Sequence, residues 1–159
     1  MVSPGRSLLF FLAAAFVASG PSVAQLPAPK LDTIFPMGVR AGASVEVSLS
    51  GADLDAPGQL IFNHPGLSAE WIGQSRFSVK AAADVPTGHY EVSFGGRYGV
   101  SASLLFSVSD REEIQVPAEA NARSGAPVIN AGSVMNGRAG SGKAQYFKVV
   151  AKSGERIFI

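Results

Sequence analysis

From Asp32 to Val108 the chain is a series of short β-type runs separated by glycine- and proline-rich turns, with no stretch of helical period long enough to matter. Ser44–Ser50 shows the pattern most clearly. Val45, Val47 and Leu49 fall on one face and Glu46 and Ser48 on the other, the period-two alternation of a half-buried strand. Similar runs are read at 32–35, 59–62, 69–72, 76–81, 89–94 and 100–108. Between them stand Pro36-Met37-Gly38, the loop 51–58, Asn63-His64-Pro65-Gly66, 83–88 and Gly95-Gly96. Seven such runs in one stretch of this size predict an all-β fold, an immunoglobulin-like β-sandwich spanning 32–108. The sequence has 18 Gly, 10 Pro and no Cys, so the sandwich must be held by packing and hydrogen bonds without disulfides.

The N-terminus reads differently. Arg6 precedes the unbroken apolar run Leu8–Ala18. As a helix that run would rise only about 16 Å, roughly half of a bilayer's hydrocarbon core. Gly20 and Pro21 end it, and Ser22 and Ala24 put small residues where a signal peptidase requires them. Residues 1–24 are therefore expected to be a cleaved signal peptide, with the cut between Ala24 and Gln25. The mature chain is expected outside the cytoplasm, in a periplasm, on a cell surface or in the medium, with no stable membrane insertion. Residues 25–31, carrying Pro27 and Pro29, read as an extended lead-in.

Beyond the sandwich the character changes twice. Residues 109–126 gather Asp110, Arg111, Glu112, Glu113 and Glu119 among Ala, Ser and Gly, and read as an exposed linker. β-type runs resume at 127–130, 133–136, 145–151 and 155–159. About 33 residues can scarcely bury a core, so 127–159 is expected to be an incomplete second β-sandwich module whose remainder lies further along a longer protein.

Charge excludes one class of partner. The net charge is +1, and without Arg6 the two signs balance. No basic face is forced, so nucleic acid is not an expected partner.

Gly137–Lys143 fits G-x-x-x-x-G-K, but Ala144 stands where a phosphate loop needs Ser or Thr, and a β-type run follows where it needs a helix. A glycine-rich hairpin loop is the expected reading. His64 and His89 both adjoin turns and are expected to be solvated, not zinc ligands. Asp53 and Asp55 flank Leu54 and are expected to stabilise a turn, not to bind calcium. Ser101 lies outside any nucleophile-elbow motif. Tyr90, following Asp84-Val85-Pro86, fits a tyrosine corner, in which the phenol bonds backbone at the strand's entry. Trp71, the one tryptophan, is expected in the core, with stacking on a sugar as the alternative. No catalytic, cofactor-binding or metal-binding residue is assigned, and no cofactor is expected.

Two resemblances add to this reading. Ile34-Phe35-Pro36-Met37-Gly38, Gly42, and Gly51-Ala52-Asp53-Leu54 through Phe62 resemble the TIG/IPT type of immunoglobulin-like domain. Its pattern is a Pro-x-Gly turn, a Gly before the second strand, a Gly-x-x-Leu turn and an apolar strand. Val134-Met135-Asn136-Gly137 and Gln145–Glu155 resemble the opening of a bacterial pre-peptidase C-terminal domain, departing from it at Ala144-Gln145, where that family often has Asp. The order of parts is similar to the N-terminal region of large exported proteins of planctomycete-type bacteria. These resemblances imply a non-catalytic binding or spacer region that meets a protein or polysaccharide surface, and loops at one end of the sandwich, such as 51–58, 63–68 and 95–99, are its expected recognition elements. They also leave room for an accessory part of an exported hydrolase, such as a peptidase acting beyond residue 159, or for a carbohydrate-binding module.

Overall fold

The computed structural model describes residues 27–117, 120–138 and 140–156. The expected signal peptide and its cut between Ala24 and Gln25 lie outside the described residues. Residues 27–29 carry no regular structure, and Lys30 already begins the first strand.

Nine strands build the sandwich: β1 (Lys30–Phe35), β2 (Gly38–Arg40), β3 (Ser44–Ala52), β4 (Gln59–Phe62), β5 (Leu67–Gly73), β6 (Arg76–Ala81), β7 (Gly88–Gly96), β8 (Gly99–Val100) and β9 (Leu104–Ser109). One sheet has the order β1-β3-β6-β5, the other β2-β9-β7-β4, with β8 paired to the end of β7. This is the strand order of a constant-type immunoglobulin sandwich, the first strand dividing at Pro36 so that β1 joins one sheet and β2 the other. β2 runs parallel to β9, and the sheets are otherwise antiparallel.

The alternation seen in the sequence becomes the core. Val47 and Leu49 of β3 point inward with Ile34, Val39, Phe77, Val79, Val92, Phe94, Phe106 and Val108, and Phe77, Phe94 and Phe106 are the largest side chains fully withdrawn from water. Trp71 is half-buried, edge-on to Phe77 with ring centroids 5.0 Å apart. The outer face of the first sheet is polar, crossed by the Arg76–Glu46 ion pair at 2.6 Å and the Thr33–Ser50 hydroxyl bond at 2.6 Å.

Two features depart from the sequence reading. β2 was hidden in the turn after residue 35, and the run 100–108 divides into β8 and β9 around Ser101. The Ser101 hydroxyl accepts from the Phe94 amide at 3.0 Å and donates to the Ala102 carbonyl at 2.8 Å, which folds the chain out of a continuous strand.

The expected linker at 109–126 contains a strand, β10 (Glu113–Gln115), and buries Ala120 and Ala126. β10 pairs in parallel with β12 (Val134–Asn136), and β11 (Val128–Ile129) pairs in parallel with β13 (Lys148–Val149). Each strand is shorter than its expected run. Glu155 and Arg156 lie in no strand, and 157–159 are outside the described residues.

Candidate functional site

The loop from β3 to β4 and the turn after β7 meet at one end of the sandwich. Antiparallel pairing of β4 with β7 sets Gln59 opposite Gly95, which brings Gly58 beside Gly96. Between them lies an open cleft of about 440 Å³, lined by Gly58, Gln59, Gly95, Gly96, Arg97 and Val100 among others. Phe94 lies directly beneath. A Cβ on Gly58 or Gly96 would collide with its ring, so only glycine lets the two chain segments close over that core residue.

The cleft opens onto the outer face of the second sheet. Ile61 sits across from Ser93 and over Gly95, and Leu105 across from Glu91. Val100 is 61% exposed, Leu105 56% and Ile61 39%. Exposed Glu91 and His89 stand among them on β7, as exposed Ile72 stands among the polar residues of the first sheet. At the rim of the cleft the Arg97 guanidinium lies 5.8 Å from the centre of the Tyr98 ring. Such a surface offers apolar contact, one cation and the Gln59 amide, and none of the cleft's lining residues is an acid or a histidine.

The residues weighed for chemistry are engaged elsewhere. The loop 63–68, which a reading of the sequence would group with 51–58 and 95–99 as one recognition end, lies at the opposite end. β4 carries the chain there, and Ala82 donates to the Gly66 carbonyl at 2.9 Å. His64 accepts from the Gly66 amide through Nδ1 at 3.1 Å and meets the Tyr90 ring edge-on at 5.0 Å. His89 Nδ1 lies 2.9 Å from the Ser107 hydroxyl. The Tyr90 hydroxyl donates to the Pro86 carbonyl at 2.7 Å, the tyrosine corner expected from the sequence. Asp53 takes a left-handed backbone (φ 54°) within the loop, and both Asp53 and Asp55 are exposed. Among the described residues, no three of His, Asp and Glu come together as a metal site would require.

Within the G-x-x-x-x-G-K stretch residues 140–143 form a turn, with the Lys143 amide on the Gly140 carbonyl at 3.0 Å, and no helix follows among the described residues. Arg138 lies over the Phe35 ring at 4.1 Å and donates to the Ser48 hydroxyl at 3.1 Å. It therefore ties the second region to the sandwich, as does a polar bracket that no sequence pattern announced. The Asn136 amide donates to Glu113 Oε2 at 2.6 Å, Ser109 donates to Glu113 Oε1 at 2.7 Å, and Asn136 Oδ1 accepts from the Met37 amide at 3.2 Å.

Compared with protein-family models and with curated proteins, the chain matches none.

Proposed function

We propose that the chain is an exported, non-catalytic recognition and spacer region, in which an immunoglobulin-like sandwich of TIG/IPT type presents one sheet face to a protein partner. The observation that carries this reading is the open cleft beside Arg97, with exposed Ile61 and Val100 close to it and exposed Leu105 further along the same sheet. Apolar side chains set among polar ones are the usual composition of a surface that meets another protein. The following β region would set the sandwich at a fixed distance and orientation from whatever it is joined to, in keeping with its resemblance to the opening of a pre-peptidase C-terminal domain.

The experiment uses the chain expressed in its own host with a photo-crosslinking residue at Val100. Recovery from the envelope or medium with Gln25 at the N-terminus, and a discrete protein adduct lost in Leu105→Asp, is the expected result. A cytoplasmic chain that retains Met1 would contradict export. An adduct to polysaccharide, or none at all, would contradict the protein partner.

A further inference from the structure

Asn136 is followed by Gly137, the dipeptide in which an asparagine side chain is most readily lost, because glycine has no Cβ to shield its amide nitrogen. A Cβ at 137 would meet only the far end of the Gln145 side chain, which can move aside. Yet this asparagine is buried, and both polar atoms of its side chain are bonded. Its Nδ2 is held by Glu113 and its Oδ1 by the Met37 amide, while its main-chain carbonyl accepts from the Val116 amide at 2.8 Å. It links the β1–β2 crossover of the sandwich to β10 and β12.

We propose that Asn136 is a deamidation site kept closed by this bracket, and that its conversion releases the second region from the sandwich irreversibly. In the reaction the Gly137 nitrogen bonds to Asn136 Cγ and ammonia leaves. Water then opens the resulting succinimide at either carbonyl, giving aspartate or isoaspartate. The net change is amide plus water to carboxylate plus ammonium, so water is the one co-reactant.

Closed geometry prevents the first step. With Oδ1 and Nδ2 both held, Cγ cannot swing onto the Gly137 nitrogen, so the reaction proceeds from the open joint. The product cannot return. A carboxylate at 136 has no proton for Glu113 Oε2, and two partly buried carboxylates would stand at hydrogen-bond distance and repel. Isoaspartate would also lengthen the backbone at the end of β12 and shift its register against β10. The inference concerns the joint and does not depend on export or on the recognition face.

The test ages the full chain in mildly alkaline buffer and follows residue 136 by peptide mapping, beside Glu113→Ala and a free peptide of residues 132–142. Loss of a hydrogen bond to a charged group predicts deamidation on the order of ten- to a hundredfold faster in Glu113→Ala than in the wild type, approaching the free peptide. Equal rates in the wild type and the free peptide would overturn the proposal, as would no acceleration in a Glu113→Ala chain whose β7 and β9 amides stay protected.

The second arm makes the product directly and needs neither ageing nor Glu113→Ala. Asn136→Asp is expected to expose the Met37 and Val116 amides to hydrogen exchange. Adding Glu113→Gln should close them again, because the new amide donates to the aspartate while its oxygen still accepts from Ser109. Unchanged protection in Asn136→Asp, or no rescue in the double variant, would equally overturn it.

Discussion

The sandwich and the region after it are both built of strands, yet they are held by different means. Residues 30–109 close around Phe77, Phe94, Phe106 and a set of Val, Leu and Ile, each worth about 1.5–3 kcal/mol when withdrawn from water. Among the described residues beyond 110, the buried apolar side chains are Ala120, Ala126 and Ile129. Two of the three are alanines, which bring little apolar area. The second region, joined within itself by two short parallel ladders, is placed by attachment instead: the Arg138–Phe35 contact, the Ser109–Glu113 bond and the Met37–Asn136 bond. The first region carries its own core, whereas the second takes its order from the first. β10 and β12 lie beside the crossover from β1 to β2, a side of the sandwich where both sheets end. Covering that side also shields strand edges that would otherwise invite pairing with other chains.

The sharpest way to break this contrast is Phe94→Ala. Emptying that site should cost the sandwich about 3–5 kcal/mol and remove the floor of the cleft. Denaturant unfolding followed at Trp71 should show the lower midpoint, with both regions lost together, because the second cannot stay ordered alone. Asn136→Ala comes next. It leaves Glu113 Oε2 without its donor and should weaken docking by about 1–3 kcal/mol. Hydrogen exchange should rise across 113–136 while the midpoint of the sandwich stays put, and a large fall in that midpoint would argue against separate sources of order. Tyr90→Phe deletes the bond to Pro86 and should lower the sandwich midpoint by the equivalent of about 0.5–1.5 kcal/mol, without change at 113–136.

The smallest effect belongs to Lys30. Its hydrogen bond to Asp32, and then the charge of Asp32, raise its pKa above the ordinary 10.5, although the pair is fully at the surface. A raised pKa in the folded state means that the pair's contribution is complete below 10.5 and fades as the pH climbs through the folded value. Lys30→Met should therefore lower stability very slightly below pH 10.5, where the pair contributes, and converge on the wild type at the alkaline end, giving a shallower alkaline slope. Denaturant midpoints taken across that range would show it, and an identical alkaline slope in the variant would remove the pair from the account.

How much of this was legible in the sequence follows the range of the interactions. β4 and β6 begin and end where the turn residues place them, at 59–62 and 76–81, because alternation and flanking glycine, proline or polar residues act over a few positions. The Tyr90 corner was legible for the same reason, its acceptor lying four residues away. β2 and β10 were not. Each has three residues and exists only through a parallel partner, β9 for β2 and β12 for β10, and no local pattern encodes that. Residues 109–126 looked solvated because they carry charge, yet Glu113 spends its charge on Ser109 and Asn136. The cleft was half legible. Its loops stood out, but Gly58 and Gly96 passed for ordinary turn glycines, and their true constraint is the Phe94 ring beneath them. The placing of 63–68 at the far end needed only the direction of β4 to be followed.

The central claim is that the second region is fixed to the sandwich and does not swing on a tether. Residual dipolar couplings of the backbone amides in a weakly aligned sample test this directly. One alignment tensor is expected to fit the strands of both regions in the wild type, and two are expected to be needed for Asn136→Asp. Separate tensors already in the wild type would contradict it.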